Sequence, residues 1–236
     1  MFDRSAHLYD LIYGFKDYEG EARDLLALIR DRNPGASSLL DVACGTGEHL
    51  RLLRSSIDRA EGVDIEPQML AIAQQKLPDM TFTVGDMRSF ALERTFDAVT
   101  CLFSSIGYMA NTAELNDAVA NLAAHLAPGG VLVIDGWVRP DAWHPGINVM
   151  AQAATAEDSA VARVVRTRRD ADRTELEMRY LVATSDGFET ATETHVLMLF
   201  THDAYRSAFV AAGLDPEVLP GPMGPDRDRY LAVRGS

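Results

Sequence analysis

The sequence predicts a doubly wound α/β protein, a mostly parallel sheet with an antiparallel β meander appended. Three observations carry that reading. Between residues 37 and 137, short apolar runs alternate with helix-like segments, the rhythm of βαβ units. Those runs are nearly continuous in Leu, Val, Ile and Phe, as strands buried on both faces of a parallel sheet must be. After about residue 140 the rhythm changes to polar–apolar alternation, with Asp170-Ala171-Asp172 and Ser185-Asp186-Gly187 supplying turns.

The elements follow in order. The first thirty residues read as helical, because Tyr9, Asp10 and Tyr13, then Leu25, Leu26, Leu28 and Ile29, recur at helical spacing. Asn33-Pro34-Gly35 ends that segment. Residues 37–47 form a strand that breaks into small residues, and 48–56 a helix. Residues 60–67 are a second strand ending in acids. Pro67 opens the next helix at its first turn, where a missing N–H costs nothing. Residues 81–87, 95–107 and 131–137 are the third, fourth and fifth strands. The amphipathic helix 114–126 stops before Pro128-Gly129-Gly130. The meander strands are 162–169, 173–184 and 189–201; the helix 202–214 is closed by Gly213. Residues 229–235 form the last strand.

Composition limits the function. The chain has 236 residues, 47% hydrophobic and 24% charged, which is ordinary for a globular protein. Its net charge is -13, so a nucleic acid or an anionic membrane is not an expected partner. Basic charge comes almost wholly from Arg; the lysines are Lys16 and Lys76. Cys44 and Cys101 make no zinc-type cluster with the histidines, so no metal is expected. With no apolar run long enough to span a bilayer and no signal peptide, a reduced cytoplasmic protein is expected.

The chemistry begins at Asp41-Val42-Ala43-Cys44-Gly45-Thr46-Gly47, where a strand meets a helix. Glycines there let the backbone approach a ligand closely. The turn lacks the third glycine of a dinucleotide fingerprint and the lysine of a P-loop, so it suits a ligand without a pyrophosphate. Asp64 ends the second strand, where a carboxylate accepts ribose hydroxyls. Asp86 ends the third and suits an exocyclic adenine amine, with Ile65 and Met87 covering the ring faces. Each acid alone is equally well read as a helix cap; together, at successive strand ends, they define a crevice.

From Asp41 to Trp137 the chain resembles class I S-adenosylmethionine-dependent methyltransferases. That resemblance implies a seven-stranded sheet and S-adenosyl-L-methionine as cofactor, with Ala43, Gly45, Asp64, Ile65, Met69, Asp86, Met87 and Leu102 around it. A narrower resemblance runs nearly end to end. Tyr9-Asp10-Leu11-Ile12-Tyr13, Lys16-Asp17-Tyr18 and the segments 37–47, 85–92, 96–109 and 125–131 look like the N,N-dimethyltransferases of deoxyaminosugar biosynthesis. Those enzymes methylate twice the amine of a dTDP-linked amino-dideoxyhexose on the way to antibiotic sugars. Carried over, Tyr13 is the active-site tyrosine near the amine, Tyr18 an aromatic closing over the cofactor, and Arg227 the nucleotide-sugar contact. Ser104 and Trp137 complete the acceptor side. Tyr108 stands where relatives often have His, and an unperturbed tyrosine is a poor proton acceptor at neutral pH.

The implied division is residues 1–136 for the cofactor-binding core with its helical cap, 137–200 for the meander over the acceptor pocket or at a homodimer surface, and 201–236 completing the core. Arg163, Arg166, Arg168 and Arg169 share one predicted strand and are read as a diphosphate contact or a solvated face. Trp137 and Trp143 stack on thymine or pack under the meander, and Val196, Met198 and Phe200 face outward. Asp135 and Glu19 are candidate proton acceptors. His49, His125, His195 and His202 are expected to be structural. Two other functions fit the same fold: another small-molecule N- or O-methyltransferase, and a non-catalytic S-adenosylmethionine-binding protein.

Overall fold

The computed structural model describes residues 8–144 and 148–235. The N-terminal segment is two helices, α1 (Tyr9–Ile12) and α2 (Tyr18–Arg32), and not one. The break falls at Tyr13–Asp17, where the Asp17 side chain caps α2 by accepting the Gly20 N–H at 2.9 Å. There follow β1 (Ser38–Val42), α3 (Glu48–Leu53), β2 (Arg59–Asp64), α4 (Pro67–Lys76), β3 (Thr81–Val84) and β4 (Phe96–Cys101). After a 3₁₀ turn at Ser105–Tyr108 come α5 (Thr112–Ala124) and β5 (Leu126–Asp135). The meander is β6 (Asn148–Thr155), β7 (Ser159–Asp170), β8 (Arg173–Thr184) and β9 (Gly187–Met198); α6 (His202–Ala211), β10 (Glu217–Pro220) and β11 (Asp228–Val233) close the chain.

Seven strands form the main sheet in the order β10-β11-β5-β4-β1-β2-β3. All neighbours pair in parallel except at β11, which runs antiparallel to β5 and β10. Alternate side chains of the central strands enter two apolar layers. Leu40, Val42 and Val99 meet α5 and α6 through Ala118, Leu122 and Phe209. Leu39, Ala98 and Val131 meet α2 and α3 through Leu25, Ile29 and Leu50. Burial on both faces is why these strands read as continuous apolar runs.

The second sheet is β6-β7-β8-β9, antiparallel throughout. Its inner face, with Val161, Val165, Met178, Tyr180 and Val182, packs on Leu8 and Ile12 beside α1. Two strands escape the sequence reading. β6 is alanine-rich, with little β preference, and β10 is a four-residue edge strand ending in Pro220. The fourth strand stops at Cys101, since Phe103 and Ser104 take left-handed φ of 55° and 64°. β5 starts earlier than expected, carrying Pro128-Gly129-Gly130 inside its bounds.

Candidate active site

The chain order reverses between β1 and β4, and at such a point the carboxyl ends of the strands leave a crevice. It spans about 910 Å³, the open solvent at its mouth included, and is lined by Ile65, Met69, Met87 and Tyr108 among others. An inner branch of about 390 Å³ reaches Tyr18, Asp41, His49 and Leu102. Tyr9, Ala43, Gly45 and Ser105 border both.

Local geometry explains the turn at the floor. Ala43, Gly45 and Gly47 have φ of 59°, 56° and 77°, so the chain coils left-handed just after β1. Asp64 ties this turn to the end of β2: its Oδ2 accepts the Gly45 N–H at 2.8 Å and its Oδ1 the Glu66 N–H at 2.9 Å. Burial raises the Asp64 pKa, and the two N–H bonds oppose that rise. Each carboxylate oxygen keeps a lone pair for a ribose hydroxyl. Ile65, 53% exposed, lines the crevice together with Met69 and Met87, an apolar lining of the kind an adenine fills. Asp41, in the inner branch, accepts the Thr100 hydroxyl at 2.8 Å, and burial pushes its pKa up to about 6. A buried carboxyl raised in this way is stabilised by a cationic ligand. The residues present therefore fit S-adenosylmethionine: nucleoside at Asp64 and Ile65, charged methionine end toward Asp41.

The N-terminal segment is strapped across this crevice. Asp10 accepts from the Thr46 hydroxyl at 2.5 Å and from Lys76 Nζ at 2.7 Å, and Lys76 also holds Glu48 at 2.7 Å. Lys16 bonds Glu21, and its ammonium sits 4.2 Å from the Tyr18 ring centre and 4.7 Å from that of Phe103. Glu21 is also 3.1 Å from His49 Nε2, and its hydrogen bonds to His49 and Lys16 hold its pKa down against the effect of burial. Both lysines of the chain thus serve the strap, a role that composition alone did not suggest.

Tyr13 lies where α1 meets the meander. Its ring is 4.6 Å from that of Tyr9 and 5.2 Å from that of Phe103. Arg163 Nη1 donates to its hydroxyl at 2.9 Å, and the guanidinium also lies 4.6 Å from the ring centre. Arg163 is 1% exposed, bonds Gln152 through Nη2, and has no carboxylate partner among the described residues. Arg227 lies over Trp137 at 4.0 Å, feels the Tyr13 phenol, and is lowered by burial to about pKa 10. Arg163 therefore bonds the Tyr13 hydroxyl, and Arg227 lies within electrostatic reach of it.

Several expected residues sit elsewhere or are otherwise engaged. Ser104 is 1% exposed and its hydroxyl donates to the Gly136 carbonyl at 2.7 Å, so it does not reach the crevice. Asp135 is locked by Arg229 at 2.7 Å and by the Phe103 N–H at 3.2 Å, which leaves it no role as a base. Glu19 is exposed on α2 and absent from the crevice walls. Asp86 borders the crevice but is held in a two-pronged pair by Arg88, which also reaches Glu114 at 3.0 Å; an adenine amine would have to share it. Trp137 is 8% exposed, donates to Thr174 and carries Arg227 on its ring, while Trp143 packs beside it under the meander.

The four arginines of β7 do not share a face, because the side-chain period of a strand is two. Arg163 points inward; Arg166 and Arg168 point outward and pair with Glu177 and Glu175. On β9, Val196 is 44% exposed as expected, but Met198, at the strand's end, is partly buried against the main core, and Phe200, past the strand, is buried in it. His125 and His202 are structural, bonded to Asn121 and Tyr230. His49 and His195 are not remote: the first lines the inner branch, and the second lies 2.7 Å from the Tyr108 hydroxyl. Nothing in sequence spacing connects residues 108 and 195. Among the described residues no helix is long and apolar enough to cross a membrane, and no cluster is arranged to hold a metal.

The geometry agrees with what the chain resembles. A family profile described as a methyltransferase domain matches residues 39–130. The dTDP-3-amino-3,6-dideoxy-alpha-D-glucopyranose N,N-dimethyltransferase of Streptomyces fradiae is 48% identical over 219 residues, covering 92% of this chain and 86% of that one. The crystal structure of Streptomyces venezuelae DesVI superposes with a TM-score of 0.92 at 42% identity, covering 98% of each chain. The S-adenosylmethionine-bound structure of CalS10, an amino pentose methyltransferase from Micromonospora echinaspora, does so at 0.83 and 40%, over 93% of this chain and 92% of that one. The chain is an S-adenosylmethionine-dependent methyltransferase and belongs to the family of dTDP-aminosugar N,N-dimethyltransferases.

Proposed function

We propose that this enzyme dimethylates the amine at C-3 of a dTDP-linked amino-dideoxyhexose destined for an antibiotic. The observation that carries the reading is Tyr13, whose hydroxyl accepts from the buried Arg163 and whose phenol influences Arg227 electrostatically, in a chain 48% identical to an enzyme named for that amine position. Bound S-adenosylmethionine supplies an electrophilic methyl group on a sulfonium. The protein's part is alignment, which in favourable systems contributes up to ~7–11 kcal/mol. Asp64 and the Gly45 turn hold the nucleoside, and Asp41 balances the cationic end. The Tyr13 hydroxyl, already accepting from Arg163, has a second lone pair for an amine N–H, which leaves the nitrogen lone pair free to attack. The neighbouring guanidinium groups repel an ammonium and so favour the free base in that seat. Arg227 offers its fork to the diphosphate.

The enzyme works in the cytoplasm as a homodimer. Support comes from its free thiols, Cys44 and Cys101, and from the outer face of the meander. There Val149, Val164, Leu181 and Val196 are each 44–52% exposed, beside the Arg166–Glu177 and Arg168–Glu175 pairs. Such a face is complementary to itself across a two-fold axis. Sedimentation as a monomer at micromolar concentration would exclude the dimer. For the reaction, purified protein is incubated with S-adenosylmethionine and dTDP-3-amino or dTDP-4-amino sugars, and products are weighed by mass spectrometry. The 3-amino sugar should gain one and then two methyl groups; turnover of the 4-amino sugar alone would refute the assignment.

A further inference from the structure

The reaction leaves one chemical demand unmet. Each methyl transfer consumes a free amine and yields an ammonium, so a proton must leave the nitrogen before each of the two methylations. The candidate carboxylates Asp135 and Glu19 are locked and remote, respectively. A tyrosine alone is a poor acceptor, and burial raises the Tyr108 phenol further.

Tyr108 is not alone. It lines the crevice with Tyr9, and Tyr13 is close enough to influence it electrostatically. Behind it, in the meander, His195 Nδ1 lies 2.7 Å from the Tyr108 hydroxyl, and His195 Nε2 is 3.5 Å from Glu193 Oε2. Tyr180 donates to the same Glu193 oxygen at 3.3 Å. His195 and Glu193 are 1% and 8% exposed. Among the described residues, the groups facing this relay include Tyr9 and Tyr13 from the N-terminal strap, Asp64 from β2, and Tyr180 from β8. An ionised carboxylate only accepts, so its charge favours the tautomer with the proton on Nε2. Nδ1 is then the acceptor and the Tyr108 O–H the donor, which leaves the phenol oxygen's own lone pairs to accept.

We propose that Tyr108, His195 and Glu193 form the proton outlet of the acceptor site. The inference rests on the amine-methylating function proposed above. An ammonium N–H bond breaks as a new O–H bond forms on Tyr108. The original Tyr108 O–H bond breaks as Nδ1–H forms on His195, so no phenolate is produced. The imidazolium is balanced by Glu193. The proton returns along the same path to water when the crevice opens to exchange spent cofactor, which must happen between the two methylations. Tyr108 is the catalytic residue here; His195 and Glu193 act through it, in the logic of a base held by a third group. An imidazole set one side chain behind the phenol supplies the acceptor that the phenol lacks.

The test combines kinetics with a measurement that needs no turnover. Tyr108→Phe, His195→Gln and the double variant are assayed for each methylation step, and cofactor affinity is measured by calorimetry. Each single change should lower kcat by about 10²-fold while the sugar KM and cofactor affinity stay within about twofold. The double variant should be no slower than the worse single one, because one route is lost once. Losses that multiply, or kcat within twofold for Tyr108→Phe, would overturn the proposal. If His195→Gln does not fold, Glu193→Gln serves in its place, with a smaller loss of the same kind. Independently, ¹⁵N NMR of histidine-labelled enzyme with S-adenosylhomocysteine should find His195 neutral with Nδ1 bare; a protonated Nδ1 sinks the outlet whatever the rates. A parent enzyme that methylates no dTDP-aminosugar instead refutes the function on which the proposal rests.

Discussion

Removing the Tyr13 hydroxyl has two separable consequences. Tyr13→Phe keeps the ring against Tyr9 and Phe103 but deletes the acceptor of Arg163 Nη1, 2.9 Å away. Arg163 is 1% exposed, its Nε already lacks an acceptor, and Gln152 would remain as its hydrogen-bond partner among the described residues. A hydrogen bond to a charged group contributes ~1.5–3 kcal/mol. In a chain of this size each kcal/mol shifts Tm by about 2–4 °C, so the variant should melt roughly 3–12 °C lower. The rate should fall as well, by ~10- to 100-fold in kcat, since the amine loses its orienting partner. Combining Tyr13→Phe with Arg163→Met separates the two. It removes the stranded cation and should recover most of the Tm while leaving kcat low. Scanning calorimetry and single-turnover rates for both methylations are the assays. An unchanged Tm for Tyr13→Phe would refute the account of Arg163; kcat within twofold of the parent would refute the account of the amine seat.

Other outcomes follow from the same geometry. Asp41 has a folded pKa of about 6 against 3.8 for the unconstrained carboxyl, so its burial costs nothing below about pH 4 and costs about 3 kcal/mol above pH 6. Asp41→Asn should therefore raise the Tm of the free enzyme at pH 8, not at pH 4, and weaken binding of S-adenosylmethionine; a free-enzyme Tm that responds equally at both pH values would contradict this. Asp64→Ala loses the ribose acceptor and strands the Gly45 and Glu66 N–H groups. Cofactor affinity should drop at least tenfold, since one charge-assisted bond contributes ~1.5–3 kcal/mol, and unchanged calorimetric affinity removes Asp64 from the site. Arg227→Ala should raise the sugar-nucleotide KM tenfold or more and leave cofactor affinity alone; an unaltered KM would assign the diphosphate to another cation.

The chain's local chemistry already specified the doubly wound core and its crevice. Period and turn residues act over a few positions, so β1 to β5, the Gly45 turn and the strand-end acids Asp64 and Asp86 were legible one after another. Legibility failed where a local preference was weak or overridden. Alanine-rich β6 becomes a strand because β7 offers it a partner along its whole length. The helical N-terminus breaks at residues 13–17, where the Asp17 side chain caps the restarted helix. The polar contacts of the site were the least visible. Tyr108 and His195 are 87 residues apart, and Tyr13 and Arg163 are 150 apart, yet each pair shares a hydrogen bond. Sequence determined which groups were available: tyrosines, histidines and arginines. Only the packing of the meander onto the strapped N-terminus decided which of them meet, because a hydrogen bond depends on distance in space, to which separation along the chain is no guide.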